Sequence, residues 1–283
     1  MLLFLLRLAA GLALSAAIGG AALAETALER AKREGVIRVG FPNQVPYAYA
    51  NEKGELTGAD AEVARLVVQK MGIPKMEGVL TEFAALIPGL KAKRFDMVLA
   101  MFVTPARCEQ VAFSEPIYGV GQALIVPKGN PLKLGNFDSL VANEKLRIAI
   151  MAGAVQATYL KKLGASADRI TILPDMLSAG NAIESGRADV FPISAVPARR
   201  LVASMGPAAG VEVVEVSPDP VIDGRPARGY SAFAFRKDDD DLLKAFNAAL
   251  KDVEAENKLL PAITPFGFDK SNLPDKVSAD LCK

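Results

Sequence analysis

The chain predicts an α/β protein of two lobes, each a mostly parallel sheet flanked by helices, joined by two hinge crossings. Apolar strand-like runs alternate with amphipathic helical ones along most of its 283 residues. A cluster of chain breakers, Pro127-Lys128-Gly129-Asn130-Pro131, separates one βαβ pattern from a second. Near the C-terminus the period-two run from Gly229 to Phe235 reads as a strand returning to the first lobe.

The first lobe opens with the strand Val36 to Phe41, a Pro-rich loop through Tyr49 and a turn at Asn51 to Gly54. A helix from about Asp60 to Met71 follows, with Asp60 as its expected N-cap and Glu62 in its first turn. Lys75 to Leu80 reads as the second strand, Phe83 to Lys93 as a helix, and Phe95 to Ala100 as the third strand. Gln122 to Pro127 is an apolar strand. The second lobe then runs strand Leu146 to Met151, helix Val155 to Leu163, strand Ile170 to Leu173, helix Met176 to Ser185, strand Ala188 to Ile193. A last helix, Asp239 to Glu256, precedes a tail. The acids Asp238 to Asp241 lack the Gly and distal Glu of a Ca²⁺ loop and read as capping residues. Crossings near Leu124 to Lys128 and Gly224 to Ser231 would make residues 25–125 with 226–283 one lobe and 126–225 the other.

Residues 1–24 carry Arg7 as their only charge, then an apolar run, then Ala22-Leu23-Ala24. That is a secretory signal peptide with its Ala-x-Ala site, giving a mature chain that starts at Glu25. The apolar stretch is shorter than the ~20 residues a bilayer span needs. No Cys stands at the cleavage point to take a lipid anchor. Periplasmic export without a membrane anchor is therefore expected.

Charge excludes other classes. The whole chain holds 33 Lys+Arg against 32 Asp+Glu, and cleavage removes Arg7 and no acid, so the mature chain is formally neutral. It offers no basic face for nucleic acid or anionic lipid. His is absent, which removes His-based metal sites and Ser-His-Asp or Cys-His catalysis. No cofactor or metal is expected, and the chain reads as a monomer and not an enzyme. Cys108 and Cys282 are the only cysteines. In an oxidising compartment two thiols pair more often than not, so a disulfide tying the tail to the first lobe is expected.

The run Met101 to Tyr118 carries the chemistry. Thr104-Pro105 reads as N-cap and first helical position, which places Arg107 in the first turn beside a strand end. There its guanidinium can fork two N–H groups onto a carboxylate. The alternative is a capping turn with a surface arginine. Ligands of α/β sheets sit outside the carboxyl ends of the strands. Those ends lead into Gln44 to Tyr47, into Phe83 and into Phe102, so three rings are expected to reach the rim that Arg107 occupies. Such a box holds a delocalised cation by cation–π attraction. Gly153-Ala154-Val155 starts a second-lobe helix whose N–H groups could meet the carboxylate, or it is a plain turn.

Met101 to Tyr118 resembles the arginine signature of type II periplasmic solute-binding proteins, the receptors of ABC importers, in the amino-acid-binding family 3. The resemblance covers nearly the whole mature chain. It implies a non-catalytic receptor that traps a small solute by hinge closure and delivers it to an inner-membrane permease. The runs Glu77 to Lys91, Met101 to Phe113, Met151 to Val155 and Gly229-Tyr230 resemble the ectoine/hydroxyectoine-binding receptors within that family. In these the aromatic positions are those of Tyr47, Phe83 and Phe102, and the carboxylate-binding arginine is that of Arg107. Amino-acid receptors of the family usually place a hydroxyl residue where Phe102 stands and an Asp near Ser194. Both anchors are absent here, which argues against ordinary amino acids. Gln44 stands where the ectoine receptors resemble this chain with an acid, and Asp60, Glu82 and Glu115 remain as acids that could compensate. A betaine or a polar or basic amino acid stays open as ligand, as does a cyclohexadienyl-dehydratase-like enzyme on the same scaffold.

Overall fold

The computed structural model describes residues 25–283, so the signal-peptide expectation for 1–24 lies outside it. In the first sheet the strands run Lys75–Leu80, Val36–Phe41, Met97–Phe102, Gly229–Phe235 and Ala112–Phe113, with Tyr118–Val120 also paired to Gly229–Phe235. The first three are parallel, and Val36 pairs with Lys75 through to Phe41 with Leu80. The return strand is antiparallel and sets Ser231 beside Phe102. In the second sheet Ile170–Leu173 lies parallel to Ile148–Met151, and Ile148 bridges to Val190 in parallel. Phe191–Ser194, Gln122–Pro127 and Val211–Glu215 continue it antiparallel. Each sheet is thus mostly parallel, with one strand running against the rest, Gly229–Phe235 in the first and Gln122–Pro127 in the second.

Gln122–Pro127, where a crossing was expected, lies wholly in the second sheet, and the chain changes sheet between Val120 and Gln122. The core follows the periodicity. The strand Met97–Phe102 is buried at every position. The helix Ala59–Lys70 buries Ala59, Val63 and Val67 along one i, i+4 row and Ala64 and Val68 along the next. Helix Asp240–Ala255 covers the return strand through Phe246, whose ring centroid lies 4.8 Å from Phe233 and 5.3 Å from Phe235. The second lobe also holds helices at Phe137–Ala142 and Ala195–Met205.

Three local expectations are corrected. The helix expected from Asp60 begins at Ala59, with Gly58 at the N-cap (φ 118°). A Cβ at Gly58 would lie 2.3 Å from the Tyr47 carbonyl oxygen. Backbone carbonyls replace the side-chain cap: the N–H groups of Ala59 and Asp60 donate to Pro46 and Tyr47, each at 2.9 Å. Asp60 turns inward and accepts from the Ala100 N–H at 3.0 Å, from Ser231 Oγ at 2.9 Å and from the Tyr118 hydroxyl. Ala100 is left-handed (φ 57°) where the ladder with the return strand slips, so the carboxylate fixes the bulge that aims Met101-Phe102 at the cleft. The helix expected over Phe83 to Lys93 is a 3₁₀ turn, Phe83–Ala85, then an α-helix only at Leu86–Lys91. Pro88 has no N–H to close a bond onto Ala84, which limits the α-helix to the later turn. At Asp238 to Asp241, Asp239 occupies the N-cap position but gives its carboxylate to Arg236 at 2.6 Å instead of to the helix.

Cys108 and Cys282 form a disulfide (Cα–Cα 5.6 Å) that ties the terminal turn Ser278–Leu281 to the helix Pro105–Cys108. Replacing both cysteines by serine is expected to lower the unfolding free energy by about 2–5 kcal/mol, since so long a loop loses its constraint in the unfolded chain. Urea titration of the two proteins measures this; equal midpoints would mean that the tail contributes nothing.

Candidate functional site

Thr104 Oγ1 accepts the Arg107 N–H at 3.3 Å and Pro105 opens the four-residue helix, which fixes Arg107 one turn beyond the strand end. Its guanidinium reaches back across that strand end. Nη1 donates to the Phe102 carbonyl at 2.8 Å, and Nη2 donates to the Gly153 carbonyl of the other lobe at 3.0 Å. The Phe83 ring lies 5.3 Å from Cζ. Two of the five guanidinium N–H donors hold it in place, which leaves the others for a ligand. Arg107 is half-buried and stands between the inner cavity and an outer chamber. Burial lowers its pKa to about 10, opposed by the phenol of Tyr159, and it stays charged at neutral pH. No carboxylate pairs with it among the described residues.

A narrow cavity opens between the lobes beside this group. The first lobe lines it with Gln44, Phe83, Phe102 and Arg107, the second with Met151, Ala154, Val155, Gln156, Phe191, Ile193 and Ser194. Gln44 is 7 % exposed, and its Oε1 is buried with no hydrogen-bond partner among the described residues. A buried acceptor without a donor is costly, so the cavity asks its guest for an N–H or O–H at that point. Ser194, buried at the N-cap of helix Ala195–Met205, makes no capping bond.

Tyr47 stands one layer back. It is 2 % exposed, meets Phe102 edge-on at 5.9 Å and 70°, and stacks on Tyr118 at 5.7 Å and 20°. Its hydroxyl faces Ser194 without reaching hydrogen-bonding geometry. Gly153 (φ 78°) contributes its carbonyl to Arg107 and borders a larger outer chamber with Ala154 and Val155. A Cβ there would sit 3.2 Å from the Phe83 ring and 3.3 Å from Ala84 Cα, so a glycine lets the lobes meet. Of the acids expected to compensate for Gln44, Glu82 is exposed and Glu115 accepts the Ser278 N–H at 3.1 Å.

Met151, Gln156, Phe191 and Ile193 belong to the wall as well. Gln156 follows the predicted Ala154-Val155 pair in the first turn, and Phe191 and Ile193 share one face of their strand by period two, so both signals were present in the sequence. Gln156 Nε2 donates to Gln122 Oε1 and Gln122 Nε2 to the Ala227 carbonyl, both at 2.8 Å. This amide chain joins the cavity wall to both crossings.

Two lobes with two crossings and a lined cavity between them define a type II periplasmic binding protein fold, and none of the helices among the described residues is long and apolar enough to span a membrane. Residues 37–263 match the model of the bacterial extracellular solute-binding proteins, family 3, and the chain belongs to that family. It is 36 % identical over 280 residues to a probable amino-acid ABC transporter periplasmic-binding protein of Sinorhizobium fredii, covering 97 % of this chain and 90 % of that one. The crystal structure of EhuB in complex with hydroxyectoine superposes with a TM-score of 0.82 at 30 % identity, over 90 % of this chain and 97 % of the other. An ancestral amino-acid-binding protein, a precursor of cyclohexadienyl dehydratase, gives a TM-score of 0.72 at 25 % identity, over 85 % of this chain and 99 % of the other.

The position of Phe102 depends on a neighbour. A Cβ at Gly229 would lie 2.4 Å from its ring. Gly229→Ala is therefore expected to force the ring or the return strand aside, at a cost of about 1–3 kcal/mol in unfolding free energy. Unchanged stability in a urea titration would show that the ring has room to move without penalty.

Proposed function

We propose that this protein is the periplasmic receptor of an ABC importer and that it captures a small zwitterion of the ectoine/hydroxyectoine type. The observation that carries this is the lining of the interlobe cavity: one unpaired guanidinium, two rings and a buried acceptor without a donor. In this reading the ligand carboxylate takes the free N–H groups of Arg107. The delocalised cation lies against Phe83 and Phe102, with Tyr47 as the supporting layer behind. An amidinium N–H donates to Gln44 Oε1. Gly153, Ala154 and Val155 close the second side, and Ser194 offers a hydroxyl. The similarity to a hydroxyectoine-bound structure supports the same chemistry.

Capture follows from the contacts across the cleft. Arg107 donates to one carbonyl in each lobe, so lobe closure and completion of the carboxylate site are a single event. The closed cavity replaces the ligand's water shell with fixed groups. The permease would then receive the solute as the lobes part.

A polar amino acid is the second reading, favoured by the amino-acid transporter relative and by Ser194 in the wall. A thermal-shift screen across the common amino acids against ectoine, hydroxyectoine and glycine betaine separates the two. The dehydratase alternative lacks a general acid or base: Arg107 is the one ionisable side chain that lines the cavity among the described residues.

Calorimetric titration of the mature protein with hydroxyectoine is expected to show one site. Arg107→Ala is expected to weaken it by at least about 1.5–3 kcal/mol, the worth of a charge-assisted hydrogen bond. Wild-type affinity in that variant would place the carboxylate elsewhere.

A further inference from the structure

The acid missing from the cavity wall lies behind its aromatic floor. Asp60 is fully buried, and burial together with hydrogen bonds, not any cation, sets its environment. Its donors are the Tyr118 hydroxyl, Ser231 Oγ and the Ala100 N–H. Each leads to the cleft. Tyr118 stacks on Tyr47, and Tyr47 meets Phe102 edge-on. Ser231 is the ladder partner of Phe102, and Ala100 lies two residues before it on the same strand. Phe102 lines the cavity.

We propose that Asp60 is the counter-charge of the ligand's cation, a specificity-determining residue that acts through the Tyr118–Tyr47–Phe102 rings without touching the ligand. This rests on the zwitterion reading above. A buried anion with no cation of its own among the described residues projects its field through the apolar layer toward the cavity. In this proposal Asp60, behind the rings, answers the cationic end of the guest, and Arg107 answers its carboxylate. That polarity suits a ligand whose two charges sit at opposite ends. It also explains how neutral Gln44 can serve in the wall: it orients an N–H while the charge comes from below.

The charged groups around this cluster are paired elsewhere: Arg199, whose charge reaches Tyr47, pairs with Glu215. On the helix of Asp60, Glu62 and Arg65 pair with each other at 2.6 Å toward the surface. The strand Met97–Phe102 carries no ionisable side chain. On the return strand, Tyr230 donates its hydroxyl to Asp275 at 2.5 Å. The phenols facing Asp60, Tyr118 and Tyr47, are both pushed up by burial and stay neutral. Phe268 packs on both rings, and the neighbouring Asp269 gives its carboxylate to the Ser271 N–H. Burial raises the pKa of Asp60 to about 6.

The test is calorimetric titration with hydroxyectoine from pH 7.5 to 5, on wild type, Asp60→Asn and Tyr118→Phe. Asparagine can keep the site: its oxygen accepts from Ala100 and Ser231, and its amide donates to a Tyr118 hydroxyl turned to accept. Wild-type affinity is expected to fall as pH drops through about 6, because protonation removes the anion. Asp60→Asn is expected to bind about tenfold more weakly at pH 7.5, with a flat pH profile. Tyr118→Phe keeps the charge but removes a hydrogen bond that stabilises it, so its midpoint is expected to move to higher pH. The stability sign is opposite to the binding sign. A folded pKa raised above the unfolded value stabilises the fold at low pH, and that contribution is lost as pH rises through about 6. Equal affinity and equal pH profiles in wild type and Asp60→Asn would overturn the role of Asp60 and leave the receptor reading intact. Should Asp60→Asn fail to fold, an unshifted midpoint in Tyr118→Phe would overturn it equally. No binding of hydroxyectoine to wild type would remove the zwitterion reading and this inference with it.

Discussion

The guanidinium of Arg107, donated at once to the carbonyls of Phe102 and Gly153, is the contact on which the cleft depends. One carbonyl ends a strand of the first lobe and the other precedes a helix of the second. A planar fork with donors at fixed angles spans the two and still has N–H groups to spare. A lysine at this position would carry the charge without that reach. Around the fork, Thr104 and Pro105 set its helix, the disulfide pins the following residue to the tail, and Gly153 lets the second lobe approach.

Two charges stand in this region without an ionic partner among the described residues, and burial acts on both. It lowers the pKa of Arg107 and raises that of Asp60, each toward its neutral form. Unpaired buried charges cost stability, and proteins retain them where a guest completes the pairing. The polar chain Gln156–Gln122–Ala227 runs from the cavity wall to the crossings.

Much of this was legible in the sequence because it rests on local rules. The Thr104-Pro105 cap, the strand Lys75–Leu80 and the return strand Gly229–Phe235 occur as the patterns require. Cys108 and Cys282 form the disulfide that two thiols in an oxidising compartment favour. What was not legible depends on tertiary partners. Asp60 looks like an N-cap, yet the loop carbonyls of Pro46 and Tyr47 satisfy the helix N–H groups and free the acid for the core. Tyr47 lies at a strand exit as expected, but the stack with Tyr118 and Phe268 draws its ring behind Phe102. Pro88 leaves the first turn of the apolar pattern over Phe83 to Lys93, Phe83–Ala85, outside the α-helix.

The most direct test of the central claim is a crystal structure of the protein with its bound solute. The account predicts a carboxylate within hydrogen-bonding distance of the Arg107 fork and a cationic centre between Phe83 and Phe102, on the side facing Asp60. A ligand seated in the outer chamber, or one whose cation approaches Arg107, would contradict it.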